Sequence, residues 1–181
     1  MKSYKEFVAE AASRSLSRLH GHIEGGHMVG FISAHRGNLS PAENNKRTKE
    51  LKKSLKKHGY TPVPVKGEYI EDHNGEKKKV KEKSFMIHSG QLPRVSGRPA
   101  KDHAKVLRDL KAHGEKFDQD TVLSVVKRKG GVGGSVFHGT GKSDWVPKGE
   151  MRRIGGAGIS TNVGDFNSRL KNKKFIVGGG A

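Results

Sequence analysis

The stretch Met28-Val-Gly-Phe-Ile-Ser-Ala-His-Arg-Gly-Asn-Leu-Ser-Pro-Ala-Glu43 joins the two kinds of element from which the fold is built. Its first part, from Met28 to Ala34, is a short apolar run, which is typical of a buried strand. Ser40-Pro-Ala-Glu43 is a capping box with proline at the first helical position, so a helix is expected to begin here. Gly59 is expected to end that helix.

The segments that follow add more strands and a second helix. Two strands are predicted around the turn dipeptide Asn74-Gly75, and a helix is predicted that Gly114 closes. The predicted elements are strands at Tyr60–Glu71, Val80–His88, Thr121–Lys127, Ser135–His138 and Lys174–Val177, and a helix at Pro99–His113. This alternation predicts a single small α+β domain with a mixed β-sheet and two main helices, preceded by an N-terminal amphipathic helix.

Charge is the dominant feature of the composition. The chain has 36 Lys and Arg residues against 18 Asp and Glu residues, which gives a formal net charge of +18 and an isoelectric point near 10.2. Such a surface attracts polyanions, and its binding to DNA weakens steeply as the salt concentration rises. The sequence contains no zinc-finger, basic-zipper or RNP motif. We therefore expect DNA as a partner, bound without sequence specificity.

The composition also excludes several classes of site and location. Cysteine is absent, so disulfides and thiolate metal sites are excluded. No apolar run approaches the roughly 20 residues that a membrane-spanning helix needs, and no membrane partner is expected. Lys2, Lys5, Glu6 and Glu10 interrupt the apolar core that a secretory signal would require.

The N-terminal segment is predicted to form the amphipathic helix. Ser3 and Glu6 match a capping box, and apolar residues recur at helical spacing from Tyr4 to Ala12. A Gly- and His-rich break, from His20 to His27, separates this helix from the first strand.

The peptide Met1-Lys-Ser-Tyr-Lys-Glu-Phe-Val-Ala-Glu-Ala11 closely resembles the capsid-targeting sequence of internal head proteins in T-even-type phages. In that family the peptide directs the protein into the prohead scaffold, and the prohead protease then cuts after a glutamate. The resemblance implies cleavage between Glu10 and Ala11. Val8 is the aliphatic residue two positions before the glutamate, although the family usually has Leu or Ile there.

This resemblance implies an organisation and a function for the whole chain. Residues 1–10 are expected to be a cleavable targeting peptide, residues 11–27 a helix end with a Gly/His-rich linker, and residues 28–181 a basic α+β domain with a Gly-rich C-terminal part. The implied function is that of an internal virion protein, which is packaged with DNA, processed and injected to protect the genome or to counter host defence. Its implied partners are the prohead scaffold, the prohead protease and a host defence protein, and its locations are the capsid interior and then the host cytoplasm.

The domain from Val29 onward resembles a family of uncharacterised phage and bacterial proteins, a domain of unknown function. The resemblance spans most of residues 29 to 126 and implies no activity. The pieces that carry it are Ile32-Ser-Ala-His-Arg36, Glu43-Asn-Asn-Lys-Arg47 with Leu51 and Leu55, His58-Gly-Tyr60, Gly67, Glu82-Lys-Ser-Phe85 and Phe117-Asp-Gln-Asp120.

A candidate anion or nucleotide pocket is predicted where the first strand leads into the first helix. A strand end followed by a helix N-terminus gathers free backbone N–H groups and the positive end of the helix dipole. Glu82 is expected to pair with Arg36 or Arg47 if the hairpin lies beside the helix, and ordinary capping and ion pairing explain the same residues without a ligand. The candidate residues are Ser33, Arg36, Asn44, Arg47, Glu82 and Gln119.

Other motifs do not identify an active site. Gly141-Lys-Ser143 lacks the preceding glycine of a phosphate-binding loop, and His20, His22 and His27 are expected to lie in a solvated linker. Val136-Phe-His-Gly-Thr140 is only faintly similar to ADP-ribosyltransferase segments. We predict no catalytic residues, metal or cofactor, and favour a non-enzymatic role. An injected enzyme acting on a nucleotide or nucleic acid, and a DNA-binding accessory protein outside the virion, stay open as alternatives.

Overall fold

A computed structural model of the protein describes residues 21–73, 76–93, 102–127, 133–142, 146–159, 166–170 and 173–177. Two main helices and eight strands occupy these ranges. The helices are α1, Pro41–Lys57, and α2, His103–Lys116. The strands are β1, Val29–Ser33; β2, Val63–His73; β3, Glu76–His88; β4, Thr121–Lys127; β5, Gly133–Gly139; β6, Met151–Ile159; β7, Phe166–Leu170; and β8, Lys173–Val177.

The eight strands close into a barrel in the order β1-β3-β2-β7-β8-β6-β5-β4. The α+β class and the two main helices are confirmed, but the prediction of a mixed sheet is wrong. Every strand pair within the described ranges is antiparallel. The sheet is antiparallel because β3 lies between β1 and β2, and β1 lies between β3 and β4. Each helical crossover therefore joins two parallel strands that are not neighbours.

The first half of the barrel is a β1-α1-β2-β3-α2-β4 unit with the sheet order β4-β1-β3-β2, which is the ferredoxin-like arrangement. The strands β5 to β8 extend this sheet until it closes on itself. Closure removes the exposed edges that an open antiparallel sheet would present to other chains.

The predicted start of α1 is confirmed in detail. The Ser40 side chain accepts a hydrogen bond from the Glu43 backbone N–H, and the Glu43 carboxylate accepts one from the Ser40 N–H at 2.9 Å. The helix ends at Lys57, and Gly59 follows in the left-handed region with φ +88°. Leu51 and Leu55 are fully buried and fix the face of α1 that packs on the sheet.

The second helix differs from the prediction at its C-terminal end. α2 begins after Asp102, whose side chain accepts a hydrogen bond from the Lys105 N–H at 2.8 Å, and it continues through Gly114. Gly114 was expected to close the helix, but it lies within it. A Cβ there would lie 2.7 Å from Thr140 Oγ1 and 2.8 Å from Val122 Cγ1, so glycine is required for close packing on the sheet.

The core has two layers, one inside the barrel and one between the sheet and the helices. The inner layer contains Val29, Phe31, Val65, Met86, Leu123, Val125 and Phe137, with Ile23 and Val146 at its margins. The outer layer contains Ile32, Phe85, Ile87 and Val122 from the strands together with Leu51, Leu55, Val106 and Leu110 from the helices. Alternate residues along β1, β3 and β4 therefore serve different layers.

All six predicted strands are confirmed, but the glycine-rich C-terminal part contains more strands than expected. β6 and β7 were not predicted, whereas β8 matches the late strand. The predicted N-terminal helix and the turn at Asn74-Gly75 lie outside the described residues. In the described ranges, no helix has both the length and the apolar character needed to cross a membrane.

Candidate functional site

The six predicted pocket residues fall into two groups on opposite faces of the sheet. Ser33 lies opposite Ser84 in the β1–β3 register. Each is two positions from an inner-core residue of its own strand, Phe31 or Met86, so both serines lie on the face of the sheet that lines the barrel interior. Glu82 is two positions before Ser84 on β3, so it lies on the same face of the sheet and at the same end of the barrel. We call Ser33, Glu82 and Ser84 the barrel rim. Arg36, Asn44, Arg47 and Gln119 lie on the outer side, and with Asp118 and Asp120 we call them the polar junction.

Asn44 is the buried centre of the polar junction. Its Oδ1 accepts a hydrogen bond from the Arg36 N–H at 2.8 Å, and its Nδ2 donates to the Arg36 and Leu39 carbonyl oxygens at 2.9 and 3.1 Å. The side chain is only 4% exposed. Asn44 therefore uses its acceptor and both amide hydrogens to hold the loop between β1 and α1.

Arg47 ties the same helix to two other segments. Its Nε donates to the Ala34 carbonyl oxygen at 2.8 Å, and its Nη2 donates to the Phe117 carbonyl oxygen. The guanidinium also lies over the Phe117 ring, with Cζ 6.0 Å from the ring centroid. Arg47 thus joins the end of β1 to the end of α2 and fixes the position of α1 between them.

Arg36 lies beside two carboxylates and not beside Glu82. Its Nη1 donates to the Asp118 carbonyl oxygen at 2.6 Å and lies 3.4 Å from Asp120 Oδ1, while its Nη2 lies 3.6 Å from Asp118 Oδ2. The two acidic residues outnumber the arginine, so this part of the junction is not the net positive pocket that the sequence predicted. Asp118 has φ +51°, a conformation that Asp tolerates better than most residues.

Gln119 closes the polar junction from the α2–β4 side. Its Nε2 donates to the carbonyl oxygens of His35 and Phe117, each at 3.2 Å, and the residue is 7% exposed. The Thr140 hydroxyl donates to the Gln119 carbonyl oxygen at 2.6 Å. Gln119 is therefore engaged by the protein itself, as Asn44 and Arg47 are.

The barrel rim is a different environment, with hydroxyls and a carboxylate near the inner core. The Ser33 hydroxyl donates to the Lys83 carbonyl oxygen at 2.9 Å and accepts from the His35 N–H at 3.0 Å. The Ser84 hydroxyl donates to Glu82 Oε1 at 3.2 Å. Both serines are buried and Glu82 is half-buried. A carboxylate in this position can hold a cationic group of a small ligand.

A histidine cluster at the opposite end of the barrel was not predicted as a structural feature. His22 stacks on His88 with ring centroids 3.8 Å apart, and His27 Nδ1 lies 3.1 Å from Ser89 Oγ. Burial, with a smaller effect of His22 and His27, lowers the pKa of His88 to about 4. The segment that was expected to be a solvated linker packs on the barrel, because Ile23 belongs to the inner core. No cluster of three or more His, Asp or Glu residues suited to a metal ion is found in the described residues.

The sequence motifs gave no sign of Ser84, Asp118 or Asp120 as parts of a site. All three lie within segments that carry the family resemblance, Glu82 to Phe85 and Phe117 to Asp120, but only the fold brings Asp118 and Asp120 to Arg36. Ser84 is a single small polar residue in a strand, and its place beside Glu82 follows from the strand's alternation. The processing residues Val8, Glu10 and Ala11 lie outside the described residues.

Comparison with known proteins identifies a family for most of the chain. The model of the S-adenosylmethionine lyase family matches residues 30–159, which is more than two thirds of the 181 residues. The matched region runs from β1 to the end of β6 and includes the barrel rim and the polar junction. No curated protein matches the sequence.

Proposed function

The chain belongs to the S-adenosylmethionine lyase family, and we propose that it breaks a carbon–sulfur bond of S-adenosylmethionine without using water. The match to the family over residues 30–159 carries this proposal. The family match favours the alternative of an injected enzyme that acts on a nucleotide-like substrate, because S-adenosylmethionine contains an adenine nucleoside.

The chemistry of the substrate shows what such a protein must do. The sulfonium is a good leaving group, because it departs as a neutral thioether. If the substrate's own carboxylate attacks Cγ, a C–O bond forms, the Cγ–S bond breaks, and its electron pair goes to sulfur. The products are then 5′-methylthioadenosine and homoserine lactone. If a base instead removes a Cβ proton, the same bond breaks by elimination and the second product is vinylglycine.

The first route needs orientation more than acid–base chemistry, because an intramolecular attack requires the carboxylate to lie in line behind the Cγ–S bond. It also needs a carboxylate that is not held by a strong cationic clamp, which would lower its nucleophilicity. Arg36 and Arg47 are already engaged by Asp118, Asp120 and main-chain carbonyl groups. We therefore assign neither arginine to the substrate carboxylate, which agrees with what the lactone-forming route needs.

We assign Glu82 a binding role in this reaction. The positive charge on sulfur decreases on the way to the transition state, so a carboxylate placed on sulfur would stabilise the substrate more than the transition state. A carboxylate that holds the α-ammonium group avoids this penalty, because that charge persists throughout. Glu82 at the barrel rim is half-buried and has Ser84 beside it, which suits this role.

The experiment is incubation of the purified protein with S-adenosylmethionine labelled in its methionine carbons, followed by mass spectrometry of the products. We expect 5′-methylthioadenosine with an equal amount of labelled homoserine lactone. Glu82→Gln is expected to reduce kcat/KM roughly 10- to 100-fold, since it removes a charged hydrogen bond to the substrate. Glu50→Gln, at an exposed position of α1, is the matched control and should retain activity. Substrate that stays intact with folded wild-type protein would refute the proposal.

A second proposal concerns where the protein acts. The N-terminal peptide and the net charge of +18 support an internal virion protein that is packaged with DNA. The two proposals are compatible, because an injected lyase would remove S-adenosylmethionine from the host and so counter any defence that depends on it. Mass spectrometry of purified virions tests the packaging: the expected mature N-terminus is Ala11, and Glu10→Gln should prevent the cut. A virion protein that retains Met1 would contradict it.

A further inference from the structure

The exposed face of α1 carries an uninterrupted set of lysines. The buried residues Asn44, Leu51 and Leu55 mark the side of the helix that faces the sheet. At about 100° per residue, the lysines span about 140° of the circumference on the opposite side. All of them are exposed. We call Lys46, Lys49, Lys52, Lys53, Lys56 and Lys57 the lysine face.

Nearby acidic residues do not neutralise this face. Among the described residues, none of the six ammonium groups takes part in an ion pair. The Glu43 carboxylate is used in the capping box, where it accepts from the Ser40 N–H and hydroxyl. Glu50 lies at the flank of the face, about 40° from Lys46 around the helix. Lys83 Nζ donates to Asn45 Oδ1 at 2.8 Å and places a seventh cation at its border.

The other dense run of lysines in the sequence differs in its surroundings. On β3, Lys77, Lys78 and Lys81 are register partners of Asp72, Glu71 and Glu68 on β2. The register of the hairpin therefore pairs three of its lysines with acidic residues, whereas α1 places its six lysines together.

The dimensions of the lysine face match the charge spacing of duplex DNA. From Lys46 to Lys57 the helix rises about 17 Å, and duplex DNA carries about ten phosphate charges over that length. The face contains no exposed aromatic side chain on which unpaired bases could stack. It has no apolar side chain to insert into a lipid surface either, because the apolar side of α1 is buried in the core.

We propose that the lysine face binds the phosphate backbone of duplex DNA without sequence specificity. This inference rests on the DNA association proposed for the packaged protein and is independent of the lyase activity. The six lysines would each contact one phosphate, and the equilibrium constant for binding would then fall with salt with a log–log slope of about −5.4. Between about 50 and 200 mM salt, the affinity would fall about 2,000-fold.

The experiment compares two triple variants of the full chain that lose the same charge. Lys49→Gln/Lys53→Gln/Lys56→Gln removes the centre of the lysine face and retains good helix formers. The control changes three exposed lysines elsewhere to Gln, at Lys116, Lys142 and Lys148. Binding to a short duplex is measured by fluorescence anisotropy across the same salt range, with helix content followed by circular dichroism.

We expect the α1 variant to lose only about 40-fold in affinity over that salt range, because three phosphate contacts are gone, while the control keeps a slope near that of the wild type. If the salt dependence of DNA binding changed equally in the two variants, the lysine face would not be the binding surface, and the net charge of the whole protein would explain the binding. Wild-type protein that does not bind duplex DNA at low salt would overturn the DNA association itself. Tighter binding to anionic vesicles than to DNA would overturn the proposal in favour of a lipid surface. S-adenosylmethionine cleavage, assayed in parallel, should be unchanged in both variants.

Discussion

Asn44→Ala offers a sharp test of whether the polar junction supports the fold. The substitution removes three hydrogen bonds, two to the Arg36 main chain and one to the Leu39 carbonyl oxygen. A buried hydrogen bond contributes about 1 kcal/mol net, and a buried group left without a partner costs more. Alanine recovers about 0.5 kcal/mol through its higher helix propensity. We therefore expect a loss of about 3 kcal/mol in the free energy of unfolding.

The neighbouring residue supplies a matched control. Asn45 is exposed on the same helix turn, and its side chain accepts one hydrogen bond, from Lys83 Nζ. Asn45→Ala should leave the stability within about 0.5 kcal/mol of the wild type, because the exposed contact contributes little and the helix propensity improves. The pair of variants has identical chemistry and differs only in burial and partners.

The assay is urea unfolding of the wild type and both variants, with thermal melting as a second measurement. For a chain of this size, about 3 kcal/mol corresponds to a fall in Tm of about 6–12 °C. If Asn44→Ala were as stable as Asn45→Ala, the hydrogen bonds of Asn44 would not hold the loop. The assignment of Asn44 to the structure would then be refuted, and a ligand-binding role for it would regain support.

Three further predictions concern the same framework. Burial lowers the pKa of His88 and of His138 to about 4 in the folded protein, so the unfolded chain gains protons first as pH falls. The free energy of unfolding should therefore be highest above about pH 6.5 and decline from there to about pH 4. Urea unfolding across this pH range measures it, and a flat profile would contradict the prediction. Gly139→Ala should lower the free energy of unfolding by several kcal/mol, because a Cβ would lie 2.0 Å from the Pro147 carbonyl oxygen. A Cβ at Gly37 would meet nothing within 4 Å, so Gly37→Ala should melt at the same temperature as the wild type. Arg47→Lys should lower the free energy of unfolding by about 2–4 kcal/mol, because an ammonium cannot reproduce both directed hydrogen bonds to the Ala34 and Phe117 carbonyl oxygens. Stability equal to that of the wild type would show that these hydrogen bonds contribute nothing.

The local elements were predictable because their signals are local. The capping box of α1 and the apolar run of β1 each depend on residues within a few positions of one another, and both are confirmed. The order of the strands was not predictable in this way. Strand–helix–strand alternation favours parallel neighbours, but β3 separates β1 from β2, and that choice depends on pairings between distant segments.

The C-terminal strands show a second limit. β6 has the sequence Met-Arg-Arg-Ile-Gly-Gly-Ala-Gly-Ile, which has neither clear alternation nor β-branched residues in number. Glycine weakens a strand and has little side chain to pack, so propensity argued against a strand there. Its backbone is instead held by pairing with β5 on one side and β8 on the other.

The candidate site was predicted as one pocket because four of its six residues, from Ser33 to Arg47, lie close in sequence. Ser33 and Arg36 are three positions apart, yet one points into the barrel and the other pairs with Asp118 beyond the strand end. The alternation of strand side chains fixes the direction of Ser33 only once the register of β1 with β3 is known. The composition of the pocket could therefore be proposed from the sequence, but its division between two faces could not.

This division determines what each variant can report. Asn44, Arg47 and Gln119 use their polar atoms on the protein itself, so their loss should lower stability and change turnover only to the extent that the fold is disturbed. Glu82 accepts a hydrogen bond from the Ser84 hydroxyl, and the amide oxygen of Gln can still accept it. Glu82→Gln should therefore lower kcat/KM for S-adenosylmethionine more than it lowers the free energy of unfolding. Measuring both quantities for Asn44→Ala and Glu82→Gln therefore separates the two groups. If Glu82→Gln lowered stability as much as Asn44→Ala and left turnover unchanged, the barrel rim would be structural as well, and the substrate would have to bind elsewhere in the matched domain.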